Sequence, residues 1–206
     1  MRCSVVSHFD VVTRTVAAFD FDGTLTRRDT LLPFLATVVG WPRVAAALGT
    51  HAHRLVRDRD VGKELVLVRL LAGLPAEQVR EAGRHYARSV RIQPEMRARL
   101  AWHREEGHDI VIVSASLDVY LGEVARSLDV EHILCTTLEV GADARCTGRL
   151  VGGNCRGPEK AKRLRAHLGD ESDGEIVLWA YGDSRGDTEM LAMADHPVRV
   201  KRGQLR

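Results

Sequence analysis

Three short apolar runs, each stopped by polar residues, constrain this chain more than any other feature of its sequence. Residues 16–21 are apolar apart from Asp20 and stop at Asp22 and Gly23. Residues 109–113 lead from Asp109 through four aliphatic side chains to Ser114, and residues 175–181 lead from Glu175 to Gly182 and Asp183. Each run is continuous rather than alternating, so each strand presents apolar side chains on both faces. Strands of that kind need helices on both sides, which predicts an α/β fold with a parallel sheet. The polar residues that end the runs should then collect along the carboxyl edge of that sheet.

A chain of 206 residues can bury one full core with a smaller appended domain. Its 30 Lys and Arg against 28 Asp and Glu give a net charge of +2. A protein that grips a phosphate backbone carries a larger basic excess, and the aromatic fraction of 5% is poor for base stacking, so nucleic acid is not an expected partner. Cys3, Cys135, Cys146 and Cys155 form no CxxC pair and are expected as free thiols of a reducing compartment. His8, Asp10, Arg14 and Asp20 interrupt the apolar stretches near the N-terminus, and no run is long enough to span a membrane. The expectation is a cytoplasmic protein with no integral membrane segment and with its oligomeric state left open.

Residues 27–93 read as helical. Asp29 or Thr30 can cap a helix bearing Leu31, Leu35 and Val38; Asp60 can cap a second through Leu65, Val68 and Leu71, stopped by Gly73; Pro75 suits the start of a third. Further helices are expected from Pro94 to Gly107, from Leu117 to Leu128 and from Pro158 to Gly169, with a β-hairpin formed by residues 137–140 and 146–150.

Asp20 and Asp22 stand two apart at the end of the first run, and an extended backbone through Asp22 would point both carboxylates the same way. Like charges so close invite a bound cation or a shared proton. Ser114 adds a hydroxyl, Asp183 and Asp187 add acidic oxygens, and Lys160 adds a compact cation. Carboxylates without a histidine cluster favour a hard ion, Mg²⁺ above zinc. Each residue also has a plainer reading: Ser114 and Asp187 as helix caps, Lys160 as a solvated helix charge, Arg185 as a solvated loop charge, His51 and His53 as surface groups.

In that order, Asp20 to Thr24, Ile112 to Ser114, Lys160, and Gly182 and Asp183 with Asp187 match four motifs, and the chain resembles the phosphatases of the haloacid dehalogenase (HAD) superfamily in their phosphoserine phosphatase-like branch. The resemblance implies a Rossmann-like three-layer core of residues 1–26 and 94–206 with a helical cap of residues 27–93. It implies a Mg²⁺-dependent phosphomonoesterase acting on a small-molecule phosphate ester. Asp20 would be the nucleophile that becomes an aspartyl-phosphate, and Asp22 the acid and then base. Asp20, the Asp22 main-chain carbonyl, Asp183 and Asp187 would hold the metal; Ser114 and Lys160 would meet the phosphoryl group.

Gly23, Thr24, Ser116 and Asp29 complete the expected substrate side, Asp29 standing near the position of a substrate-binding glutamate in phosphoserine phosphatases. Leu67 stands where those enzymes carry a cap arginine, and Ala115 and Ser116 replace paired glycines, departures that weaken phosphoserine as the substrate. Residues 114–116, 154–160 and 195–204 are also similar to a group that includes bacterial phosphatidylglycerophosphatase C. Leu31, Leu32, Phe34, Leu35 and Trp41 could therefore cover a lipid headgroup, or simply form the cap's own core. A non-catalytic phosphate-binding relative is the alternative of another class.

Overall fold

The computed structural model describes residues 13–169, 175–201 and 204–205, so the readings of Cys3, His8 and Asp10 lie outside the described residues. Strand β1 (Arg14–Phe19) pairs in parallel with β2 (Asp109–Leu117) on one side and β5 (Ile176–Gly182) on the other. The sheet extends through β3 (His132–Val140) and antiparallel β4 (Cys146–Val151) at one end, and through β6 (His196–Lys201) and antiparallel β7 (Gln204–Leu205) at the other. Phe19 lies opposite both Ile112 and Tyr181. That register brings Asp20, Ser114 and Asp183 to one edge.

Successive residues of β1 face opposite sides. Ala17 and Phe19 join Ile112 and Tyr181 in one apolar cluster with α5 (Pro94–Glu105) and α6 (Asp118–Ser127), through Met96, Leu100, Tyr120 and Leu121. Val16 and Ala18 join Val111, Val113, Leu178 and Ala180 in another, covered by α7 (Pro158–Leu168) and α8 (Thr188–Ala192) through Leu164, Met190 and Leu191. The three-layer α/β architecture read from the continuous runs is the one observed. Strand β2 runs past Ser114 to Leu117, with a register shift between those residues. Ser114 therefore sits inside a strand and caps nothing. Strand β6 went unread because Pro197 and Arg199 break up its short apolar pattern.

Four helices rather than three lie within residues 27–93: α1 (Leu31–Val39), α2 (Trp41–Arg57), α3 (Arg59–Leu71) and α4 (Ala76–Ala87). The unread one, α2, is rich in Ala, Arg and His, so its amphipathic pattern is carried by few large apolar residues. Asp58, not Asp60, caps α3, accepting from the N–H groups of Asp60 and Val61 at 3.0 and 3.1 Å. Phe34, Leu35, Val44, Leu67 and Leu71 belong to the same cluster as Phe19, Phe21 and Tyr120, so the apolar residues of α1 are mainly core. Trp41, by contrast, is 58% exposed. Backbone bonds from Gly73 N–H to Cys146 O and from Cys146 N–H to Leu74 O, each 2.9 Å, tie the α3–α4 turn to the β3–β4 hairpin.

Candidate active site

The chain leaves β1 at Asp20 and makes one wide turn over Phe21–Leu25, closed by Thr26 N–H donating to Phe21 O at 2.9 Å. Gly23 has φ +86°, and a Cβ there would overlap the Asp183 carboxylate. Only glycine satisfies both demands. A Cβ on Gly182 would stand 2.5 Å from Asp187 Cβ. These two glycines let the ends of β1 and β5 close up until oxygens of Asp20, Asp183 and Asp187 lie within 4.8 Å of one another.

Lys160, on the first turn of α7, reaches this cluster from the far face of the sheet. Its side chain is 3% exposed, and its Nζ donates to Asp20 Oδ1 at 2.5 Å and to Asp187 Oδ1 at 2.6 Å. The solvated-charge reading of Lys160 is excluded by that burial. Asp187 Oδ2 accepts from Ser184 N–H at 3.0 Å and Oγ at 2.9 Å, so its side chain anchors the loop after β5 rather than capping α8.

Charge sets the protonation of these groups. Burial raises the Asp20 carboxyl, Lys160 opposes that rise and Asp187 adds to it. Lys160 is pulled down by burial, but the two carboxylates outweigh that and hold its ammonium above the ordinary range. Asp183, at the solvent-facing side, is pushed up to about 6, first by burial of its carboxyl and then by Asp20 and Asp187. Asp20 Oδ2 is buried without a partner. Three converging carboxylates, only two of them paired with the one ammonium, and one oxygen unmatched, fit a hard divalent cation.

The Asp22 side chain turns away from this cluster. Its Oδ1 accepts from Thr30 N–H at 2.8 Å and Thr30 Oγ at 2.7 Å, and its Oδ2 accepts from Ser116 Oγ at 2.6 Å. Tyr120 OH lies 3.0 Å from Thr30 Oγ. Burial, and after it Asp29, pushes the Asp22 carboxyl up to about 7, where a group can both give and take a proton near neutrality.

A cavity of about 780 Å³ opens over these residues and is lined by Asp20, Asp22, Gly23, Asp29, Ser114, Lys160, Asp183 and Asp187. The structure thus gathers most of the expected site residues. Ser116 and Thr24 differ: they are 1% and 0% exposed. Ser116 serves Asp22, and Thr24 gives its carbonyl to Gln93 Nε2 at 2.8 Å. Asp29 lines the cavity while its Oδ1 accepts from Leu31 N–H at 3.0 Å, capping α1. Arg185 is exposed, as its plainer reading held.

Sequence reasoning missed Lys63. It lies on α3, lines the cavity and donates to Ala115 O at 2.5 Å and Asn154 Oδ1 at 2.7 Å. Burial lowers its ammonium to about 8 against the opposing pull of Asp22, Asp29 and Asp60. Leu67, one turn on, is wholly buried. The buried face of α3 carries Val66, Leu67, Leu70 and Leu71 rather than the expected Leu65, Val68 and Leu71, Val68 being 37% exposed, and nothing local marked Lys63.

The family model described as haloacid dehalogenase-like hydrolase matches residues 17–192. Protein CicA of Caulobacter vibrioides is 36% identical over 197 residues, which is 92% of this chain and 87% of that protein. Phosphoserine phosphatase SerB2 of Mycobacterium tuberculosis is 29% identical over 183 residues, covering 88% of this chain and 43% of that protein. The crystal structure of a protein of unknown function from Bordetella pertussis Tohama I aligns with a TM-score of 0.73 at 24% identity, covering 88% of this chain and 87% of that one. The chain belongs to the haloacid dehalogenase-like hydrolases and is a phosphoric monoester hydrolase among them.

Proposed function

We propose that this protein hydrolyses a small phosphate monoester through an aspartyl-phosphate formed on Asp20. The observation that carries this reading is the pairing of Asp20 with the buried Lys160 on a cavity wall that also presents Asp22 and Ser114. A carboxylate oxygen of Asp20 attacks phosphorus and the bond to the leaving oxygen breaks. Asp22 gives that oxygen its proton. Asp22 then takes a proton from the attacking water, phosphate departs, and Asp20 is restored. Ser114 bonds a phosphoryl oxygen, and Lys160 balances the charge that builds on it. Asp20, Asp183 and Asp187, with the Asp22 carbonyl, would hold Mg²⁺. When bound, that ion draws charge from the phosphoryl oxygens and offsets their repulsion from the carboxylates.

Residues 27–93 would form the cap and residues 1–26 and 94–206 the core, because the cavity is closed on one side by α1 and α3. The three described cysteines, buried and unpaired, support a reducing, cytoplasmic setting. Among the described residues no helix is long and apolar enough to cross a membrane. A phospholipid-headgroup ester is the second reading, favoured by Leu31, Leu32, Leu48 and Val56 on the cavity wall. The test is phosphate release from p-nitrophenyl phosphate, which EDTA and D20N should each abolish. A D20N protein of normal activity would remove Asp20 as the nucleophile.

A further inference from the structure

The cavity has more cations than the transferring phosphoryl group can use. Lys160 is committed to Asp20 and Asp187. Farther out the lining carries Arg27, Arg28, Arg59, Lys63 and Arg156, and no ion pair within contact distance engages any of them among the described residues. The carboxylates on that part of the wall are already occupied. Asp22 is held by Thr30 and Ser116, Asp29 caps α1, and Asp60 accepts from Asn154 Nδ2 at 2.7 Å.

Lys63 is the sharpest case. Its two hydrogen-bond acceptors, Ala115 O and Asn154 Oδ1, are both neutral, and an ammonium has three donors. A largely buried cation with no carboxylate in contact is costly unless an anion completes it. Arg59 lies four residues earlier on the same helix and lines the same cavity, so the two side chains share a face.

We propose that Lys63 and Arg59 bind a second anionic group carried by the leaving alcohol, so that the substrate class is a phosphate monoester with a further phosphate or carboxylate. The inference rests on the phosphatase reading of the site. Lys63 contacts the carbonyl of Ala115, next to Ser114, and lies under the field of Asp22, which places it on the leaving-group side. Leu31, Leu32, Leu48 and Val66 line the same cavity and suit a carbon skeleton between the two anions. A substrate ammonium gains less here, because Asp22, Asp29 and Asp60, though charged, already accept hydrogen bonds from Thr30, Ser116, Leu31 and Asn154.

Matched ester pairs test this: phenyl phosphate against 4-carboxyphenyl phosphate, and propyl phosphate against 1,3-propanediol bisphosphate. With the intact protein, kcat/KM should favour the second anion at least tenfold in one pair, and added salt should erode the preference. K63M should collapse the ratio, K63R should keep most of it, and R59Q, at an exposed position, should reduce it without touching the interior. Lack of preference in the intact protein, or equal loss on both esters in K63M and R59Q, overturns the proposal. Binding of the same compounds to D20N by calorimetry reads the affinity difference without turnover. Failure of every ester to turn over would strike the phosphatase reading alone, whereas equal binding of each matched pair would strike this one.

Discussion

Ser116 Oγ donates to Asp22 Oδ2 at 2.6 Å, joining the carboxyl end of β2 to the turn that follows β1. With Thr30 on the other oxygen, the Asp22 carboxyl is fixed by side chains from β2 and from the residue before α1. In its proposed role as proton donor, Asp22 would be oriented before any ester arrives.

S116A removes one of these bonds. A hydrogen bond to a charged group contributes about 1.5–3 kcal/mol. We expect kcat to fall about tenfold or more on alkyl phosphates and distinctly less on p-nitrophenyl phosphate, whose leaving group needs little protonation. A similar fall on both esters would mean that Ser116 does not act through Asp22.

K160M leaves the Asp20 and Asp187 carboxylates buried and unopposed. Removing one partner of a buried ion pair costs about 3–5 kcal/mol. Urea unfolding in EDTA should show a loss of that order, and Mg²⁺ should recover part of it. Undiminished stability would mean that the pair is not sustained in solution.

G182A forces a methyl group against Asp187, whose carboxylate both anchors the loop and receives Lys160. The expected result is at least a tenfold loss of activity together with weaker Mg²⁺ binding by calorimetry. Unchanged Mg²⁺ affinity would place Asp187 outside the metal site.

His103 is fully buried, its Nε2 2.8 Å from Tyr181 OH and its Nδ1 2.8 Å from His108 Nδ1. Burial, then His108 and Arg99, depresses its imidazole from 6.5 to about 3. The unfolded chain therefore binds a proton that the folded chain refuses. The stability this group contributes is present above pH 6.5 and is lost as pH falls toward 3, by up to about 1.4 kcal/mol per pH unit. Asp22 and Asp183, with raised folded values, act in the opposite sense. Comparing H103Q with the parent between pH 7 and 5 isolates the imidazole, and the variant should show the weaker acid sensitivity. Parallel curves would refute the buried neutral histidine.

The polar ends of three apolar runs were enough to place Asp20, Ser114 and Asp183 together, because parallel register follows from strands covered on both faces. Lys160 was readable only in company with them, since its helix looks like an ordinary charged surface. Thr30 looked like a cap and is instead a partner of Asp22, eight residues away through a turn that no local propensity encodes. Lys63 and Asn154, ninety-one positions apart, meet only because α3 folds back over the sheet edge. Long-range pairings of this kind leave no periodic trace in the sequence.

Phe34, Leu35 and Leu67 share one apolar cluster with Phe21 and Tyr120, whereas Lys63, Asp60 and Asn154 meet across the cavity through polar bonds alone. The two seams of the four-helix segment are therefore unequal in strength. If the cavity opens at the polar seam, the apolar contacts can stay in place, and cutting away the four helices would bare Phe21 and Tyr120 of the core.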